Sequence, residues 1–208
     1  MTKNTYTEHI GRRAATNVFH AFDFAKNTGH PMNVYTVLHL RDQLSASVTT
    51  QFTKIRRKFR NWYNYHQRKF GLQPLPPIYT YTIEAPTGAV HVNWVLHIPD
   101  DMLEEFEKKL PTWVEKTTGD LQPYDIKTKR ITPDTDKRVA NYCNKGVDAQ
   151  YVEYFKLGGI AEPQGRIHGR RVTVSTAISR ASREAVGFKA KYHRNDHKRG
   201  RVWQLPIS

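Results

Sequence analysis

Cysteine is almost absent from the chain: Cys143 is the only one in 208 residues. One thiol cannot build an internal disulfide framework or a multi-cysteine zinc site. A reducing, cytoplasmic setting is the expectation. No apolar run approaches the ~20 residues that span a bilayer, and no segment has the apolar centre of a signal peptide, so no membrane partner is expected. Acids are scarce as well. Asp and Glu number 19 against 33 Lys and Arg, a formal net charge of +14, and no acid occurs between Asp42 and Glu84. Such an excess attracts a polyanion, most simply nucleic acid; a generally basic protein is the plainer alternative. No helicase-like P-loop is present, so the chain brings no motor of its own.

Aromatic residues make up 12% of the chain, which favours nucleic acid over other polyanions because bases stack on rings. The stretch from Glu84 to Pro99 carries the most information. In it His91, Asn93, Val95 and His97 alternate with Val92, Trp94, Leu96 and Ile98, the period of a strand with one apolar face. Ile78 to Glu84 alternates too, and Pro86-Thr87-Gly88 between the two runs is a turn signal, so a hairpin is predicted. If the apolar sets share a face, Glu84, His91 and Asn93 share the other. A carboxylate, an imidazole and an amide oxygen then converge near the turn, a donor set suited to a hard divalent cation. An ordinary solvated strand face is the alternative reading.

Around the hairpin the pattern alternates between strands and helices. Ala14 to Lys26 suits a short helix, in a segment 1–32 that packs around the domain. Val34 to Leu40 reads as a central strand, β-branched and apolar on both sides. Ser45 to Phe70 is the longest helical pattern, with Phe52, Ile55, Phe59, Trp62 and His66 in one stripe and Gly71 as a stop. Its other faces carry seven cations, and Lys54, Arg56, Arg57, Lys58 and Arg60 are assigned to phosphate contact. Asp100-Asp101 opens a helix to about Lys116 that Pro111 is expected to kink or shorten. Tyr124 to Ile131 reads as a strand. Thr132-Pro133 should open a helix ending at Gly146, in which Arg138, also assigned to nucleic-acid contact, shares one side with Tyr142 and Lys145. Gly158 to Gly169 is read as a loop, Val172 to Val186 as a short strand or turn leading into a helix, and Phe188 onward as a basic tail.

Taken in order, these features resemble the HUH endonucleases, specifically the rolling-circle replication initiators of plasmids, phages and small single-stranded DNA viruses. Val34–Leu40 resembles their first motif. Glu84 with His91-Val92-Asn93 resembles the second, and Tyr142-Cys143-Asn144-Lys145 the third, with a single motif tyrosine. The second histidine of the pattern is here Asn93, a shorter amide than the glutamine some relatives carry. The resemblance covers about residues 33–146. It implies an α+β fold, RRM-like or ferredoxin-like, with a central antiparallel sheet of about five strands and helices mainly on one face. Residues 33–157 would form the endonuclease domain and 158–208 a basic extension. It also implies nicking and joining of single-stranded DNA or a hairpin origin: Glu84, His91 and Asn93 hold Mg²⁺ or Mn²⁺, Tyr142 attacks to form a 5′-phosphotyrosine, and Lys145 assists. A transposase or relaxase would use the same chemistry, and a non-catalytic nucleic-acid-binding protein is the more distant alternative. Tyr151 and Tyr154 are the other candidate nucleophiles, Lys145 could serve only the helix dipole, and His97 is read as structural. His39 approaches the site only if the Val34–Leu40 strand neighbours the strand that carries His91.

Overall fold

The computed structural model describes residues 6–40, 45–72, 74–132, 134–190 and 205. In chain order the elements are β1 (Tyr6–Thr7), α1 (Arg12–Asn27), β2 (Val34–His39), α2 (Ser45–Lys69), β3 (Ile78–Glu84), β4 (His91–His97), α3 (Asp100–Thr118), β5 (Ile126–Arg130), α4 (Asp136–Cys143), α5 (Val152–Phe155), β6 (Ile167–His168), β7 (Val172–Val174) and α6 (Arg180–Ala185). The architecture is α+β. Five antiparallel strands lie in the order β5-β2-β4-β3-β7, and β1 pairs with β6 in a small second sheet.

The predicted hairpin is the centre of the large sheet. β3 and β4 pair from Ile78↔His97 to Glu84↔His91, and Gly88 closes the turn at φ +86°, where a side chain would be strained. The alternation settles the faces. Tyr81, Ile83, Val92, Trp94 and Leu96 enter the core beneath α2 and α3. Trp94 is fully buried, with Phe59 at 5.1 Å and Phe52 at 5.2 Å, both edge-on, the geometry that aromatic quadrupoles favour. All five residues of the predicted α2 stripe are buried.

Ile78 and Val95 point the other way. They meet a second core built by α1, α4 and the segment around α6, in which Phe22, Phe24, Ile178 and Phe188 are buried. The stretch after Gly158 thus contributes to the fold. β7 is the edge strand beside β3, and β6 pairs with the N-terminal β1. Phe188, Ala190 and Leu205 pack on the second core; the rest of the basic tail lies outside the described residues.

Three boundaries differ from expectation. Pro111 does not shorten α3, which runs on to Thr118 and ends at Gly119 in the left-handed conformation. Proline removes one hydrogen bond, to the carbonyl of exposed Glu107, while burial of Trp113 and Val114 beyond it holds the next turn. α4 begins at Asp136 rather than near Pro133, because the Thr135 hydroxyl accepts from the Thr132 amide and donates to the Thr132 carbonyl, closing a turn first. β5 starts only at Ile126, since Tyr124 sits at φ +76° and the Asp125 carboxylate accepts from the Gln122 amide.

Candidate active site

The register places Glu84, the last residue of β3, directly opposite His91, the first of β4. Glu84 is 1% exposed, and its Oε2 lies 3.1 Å from His91 Nε2 and 3.1 Å from Lys145 Nζ. Lys145 also donates to the Tyr142 hydroxyl oxygen at 3.0 Å. Tyr142 and Lys145 are three residues apart, and the Lys145 amide bonding back to the Tyr142 carbonyl keeps both on one side just past the end of α4. Ala140 and Cys143, buried in the second core, fix that helix end over the sheet. Tyr142 keeps 39% of its surface exposed, so it stands at the outer end of a chain of polar groups that leads inward through Lys145 to Glu84.

Asn93 lies two residues after His91 on the same face and is 1% exposed. Its side-chain oxygen accepts a 2.6 Å hydrogen bond from the Tyr35 hydroxyl, and the Tyr35 ring meets the Tyr142 ring edge-on at 6.0 Å. β2 neighbours β4, and His39 pairs with His91, with ring centroids 5.3 Å apart.

The electrostatics follow from this crowding. Burial alone would raise the Glu84 carboxyl, but the His91 hydrogen bond and the Lys145 ammonium outweigh it and hold the group below its ordinary value. Burial pulls the Lys145 amine down; the Tyr142 hydrogen bond and Glu84 pull harder and raise it. The two effects describe one ion pair, carboxylate and ammonium both charged at neutral pH. Burial, with Tyr142, Cys143 and Glu84 adding to it, pushes the Tyr35 hydroxyl well up, so it stays a neutral donor. The Cys143 thiol is pushed up by burial and by Glu84, which makes it inert as a nucleophile. Burial and His91 lower His39, against Asp125.

Among the described residues no group of three or more His, Cys, Asp or Glu side chains is gathered for a metal ion; a cation here would need the Asn93 amide as its third donor. One observation fits that role. Asn93 Nδ2 is buried with no partner. A half-turn of the amide would let its N–H donate to Tyr35 and put the carbonyl oxygen in the unpartnered place. Carboxylate, imidazole and amide oxygen then form a set compatible with Mg²⁺ or Mn²⁺.

The structure thus brings Glu84, His91, Asn93, Tyr142 and Lys145 into one cluster, with His39 at its edge. Arg138 is exposed on α4, four residues before Tyr142. Lys54, Arg56, Arg57, Lys58 and Arg60 belong to α2, across the sheet from Tyr142. His97 sits at the far end of β4, where its Nδ1 approaches the Pro31 carbonyl at 2.8 Å. Tyr151 packs on the second core, and Tyr154 is exposed beneath the Arg12 guanidinium.

Sequence reasoning missed three contributors. Tyr35 shares the strand alternation with His39, and that was the available signal. Glu162, 3.5 Å from Lys145, left none. Arg171 is 1% exposed and donates to the carbonyls of Ile83, Gln164, Gly165 and Thr7, clamping the loop before β7 against the end of β3. No known family model matches the chain, and no curated protein matches it either.

Proposed function

We propose that this protein cuts and rejoins single-stranded DNA through a covalent tyrosine intermediate. The observation that carries the reading is the single ammonium of Lys145, which joins the Tyr142 oxygen to the buried Glu84–His91 pair. Lys145 donates to Tyr142 and leaves the tyrosine's own proton free to depart to water. The ammonium holds positive charge beside the attacking oxygen and the phosphate. Tyr142 attacks phosphorus in line; the new bond is to the phenolic oxygen, the bond to the 3′ oxygen breaks, and that oxygen takes a proton to leave a 3′-hydroxyl. The link stores the phosphodiester energy, so a later 3′-hydroxyl can reverse the step and join strands. Glu84, His91 and Asn93 would hold Mg²⁺ or Mn²⁺, which supplies Lewis-acid polarisation of the scissile phosphate.

The biological role that suits this chemistry is initiation of rolling-circle replication of a plasmid, phage or other mobile element, in the cytoplasm and with a host helicase. Transposition and transfer use the same step. Among the described residues no helix is long and apolar enough to cross a membrane.

A denaturing gel tests the reading. The protein is incubated with labelled single-stranded oligonucleotides of randomised sequence, with Mn²⁺ or with EDTA, beside Tyr142→Phe. The expected result is a slow covalent band that needs the metal and vanishes in the variant. Tight native binding with no adduct anywhere in the pool would sink it and favour a non-catalytic nucleic-acid-binding protein. A band that survives in Tyr142→Phe would move the nucleophile to Tyr151 or Tyr154.

A further inference from the structure

A recess of about 310 Å³ lies on the opposite face of the sheet from Tyr142, between α2 and the edge where β7 ends, and Arg56, Arg57, Arg60, Thr53, Tyr79 and Ser175 are among its walls. We infer that it is a second phosphate subsite, built to hold a backbone phosphodiester of the same nucleic-acid strand away from the site of cleavage; the inference rests on the nucleic-acid reading above.

The charge there is one-sided. Arg60 stands three residues after Arg57 and four after Arg56 on α2, spacings at which like charges repel. The recess has no carboxylate in its lining. Among the described residues, none of the three arginines forms an ion pair with an acid. Arg56 is held in place rather than waving in solvent. Its guanidinium lies over the Tyr81 ring at 4.9 Å and the Phe52 ring at 5.4 Å, and it donates to the hydroxyls of Tyr79 and Thr53, each at 3.2 Å. Arg56 Nε is buried without a partner. A planar guanidinium fixed by rings, with two exposed arginines beside it, matches a tetrahedral anion.

The location makes it a separate subsite. Tyr79 lies five residues before Glu84 on β3, roughly 17 Å along the strand, and its side chain faces α2 whereas Glu84 faces the α4 side. DNA that engages both sites must pass from one face of the sheet to the other, so the footprint extends well beyond the nucleotides at Tyr142.

Salt dependence of binding tests the inference. Affinity for a labelled single-stranded oligonucleotide is measured against salt concentration in a Tyr142→Phe background, alone and with Arg57→Gln and Arg60→Gln. Both arginines are exposed, and a thermal melt checks that the fold survives. The expected result is a slope of log affinity against log salt that is shallower by about 1.4, two released counterions on a single strand. The pair Arg68→Gln and Lys69→Gln, on the last turn of the same helix and outside the recess, should leave the slope as it is. An unchanged slope in the Arg57/Arg60 pair, or an equal fall in the control pair, overturns the subsite. A second arm titrates ATP and pyrophosphate. If those bind at the arginines while the DNA slope is unaffected, the recess takes free nucleotide phosphate and the strand assignment is wrong. The covalent-band experiment is read separately. An adduct with an unchanged slope removes only the subsite, and a shallower slope without any adduct removes only the nuclease reading.

Discussion

Lys145 Nζ and Glu84 Oε2 lie 3.1 Å apart in surroundings where both residues are almost fully buried, at 5% and 1% exposed. A buried ion pair is a poor source of net stability, but removing one partner leaves the other charge stranded. Lys145→Met is therefore expected to cost roughly 3–5 kcal/mol, and Glu84→Gln in the same background to recover part of the loss. Urea unfolding of the two single variants and the double gives the coupling, expected at about 1–3 kcal/mol. Additive losses would show that the pair is not coupled. Adduct formation should drop by about 10²-fold or more in Lys145→Met.

The same carboxylate predicts an acid limb in stability. Its folded-state value lies below the ordinary 4.5, so its contribution is complete above 4.5 and is lost as pH falls through the lower folded value. The urea midpoint should fall on acidification through that window, and the fall should be smaller in Glu84→Gln. Parallel curves for the two proteins would assign the acid limb to other carboxylates.

Tyr35→Phe keeps the ring and removes the donor to Asn93. It leaves both atoms of a buried amide without a partner, at an expected cost of about 1–3 kcal/mol. If Asn93 also serves a cation, the Mn²⁺ concentration giving half-maximal adduct should rise in this variant. A change in stability without a change in that midpoint would leave Tyr35 a purely structural residue.

Gly165 sits at φ +67°, and a methyl there would run into the Ala85 carbonyl oxygen. Gly165→Ala should push the loop away from the residue following Glu84, destabilise the protein by more than ~1 kcal/mol and impair the adduct. Gly158→Ala, where an added carbon meets nothing within 4 Å, should change stability by no more than about 0.5 kcal/mol. Equal effects at the two positions would contradict the close approach at Ala85.

Sequence alone determined what local periodicity governs. The two-residue repeat of β3 and β4 put Glu84, His91 and Asn93 on one face and Trp94 on the other, because a strand has no other way to alternate. The α2 stripe and the shared side of Tyr142 and Lys145 followed from the helical repeat in the same way. Helix and strand ends were less legible where a side chain closed a turn, as at Thr135, or where burial carried α3 past Pro111. Only the tertiary structure decided which long-range groups meet: that Lys145 bridges to Glu84, 61 positions earlier in the chain, that Tyr35 donates to Asn93, and that Arg171 clamps the loop at Gly165. Those meetings depend on strand order and on how α4 packs over the sheet, which the core volume and the burial of residues far apart in sequence set together. No spacing within a single element encodes them.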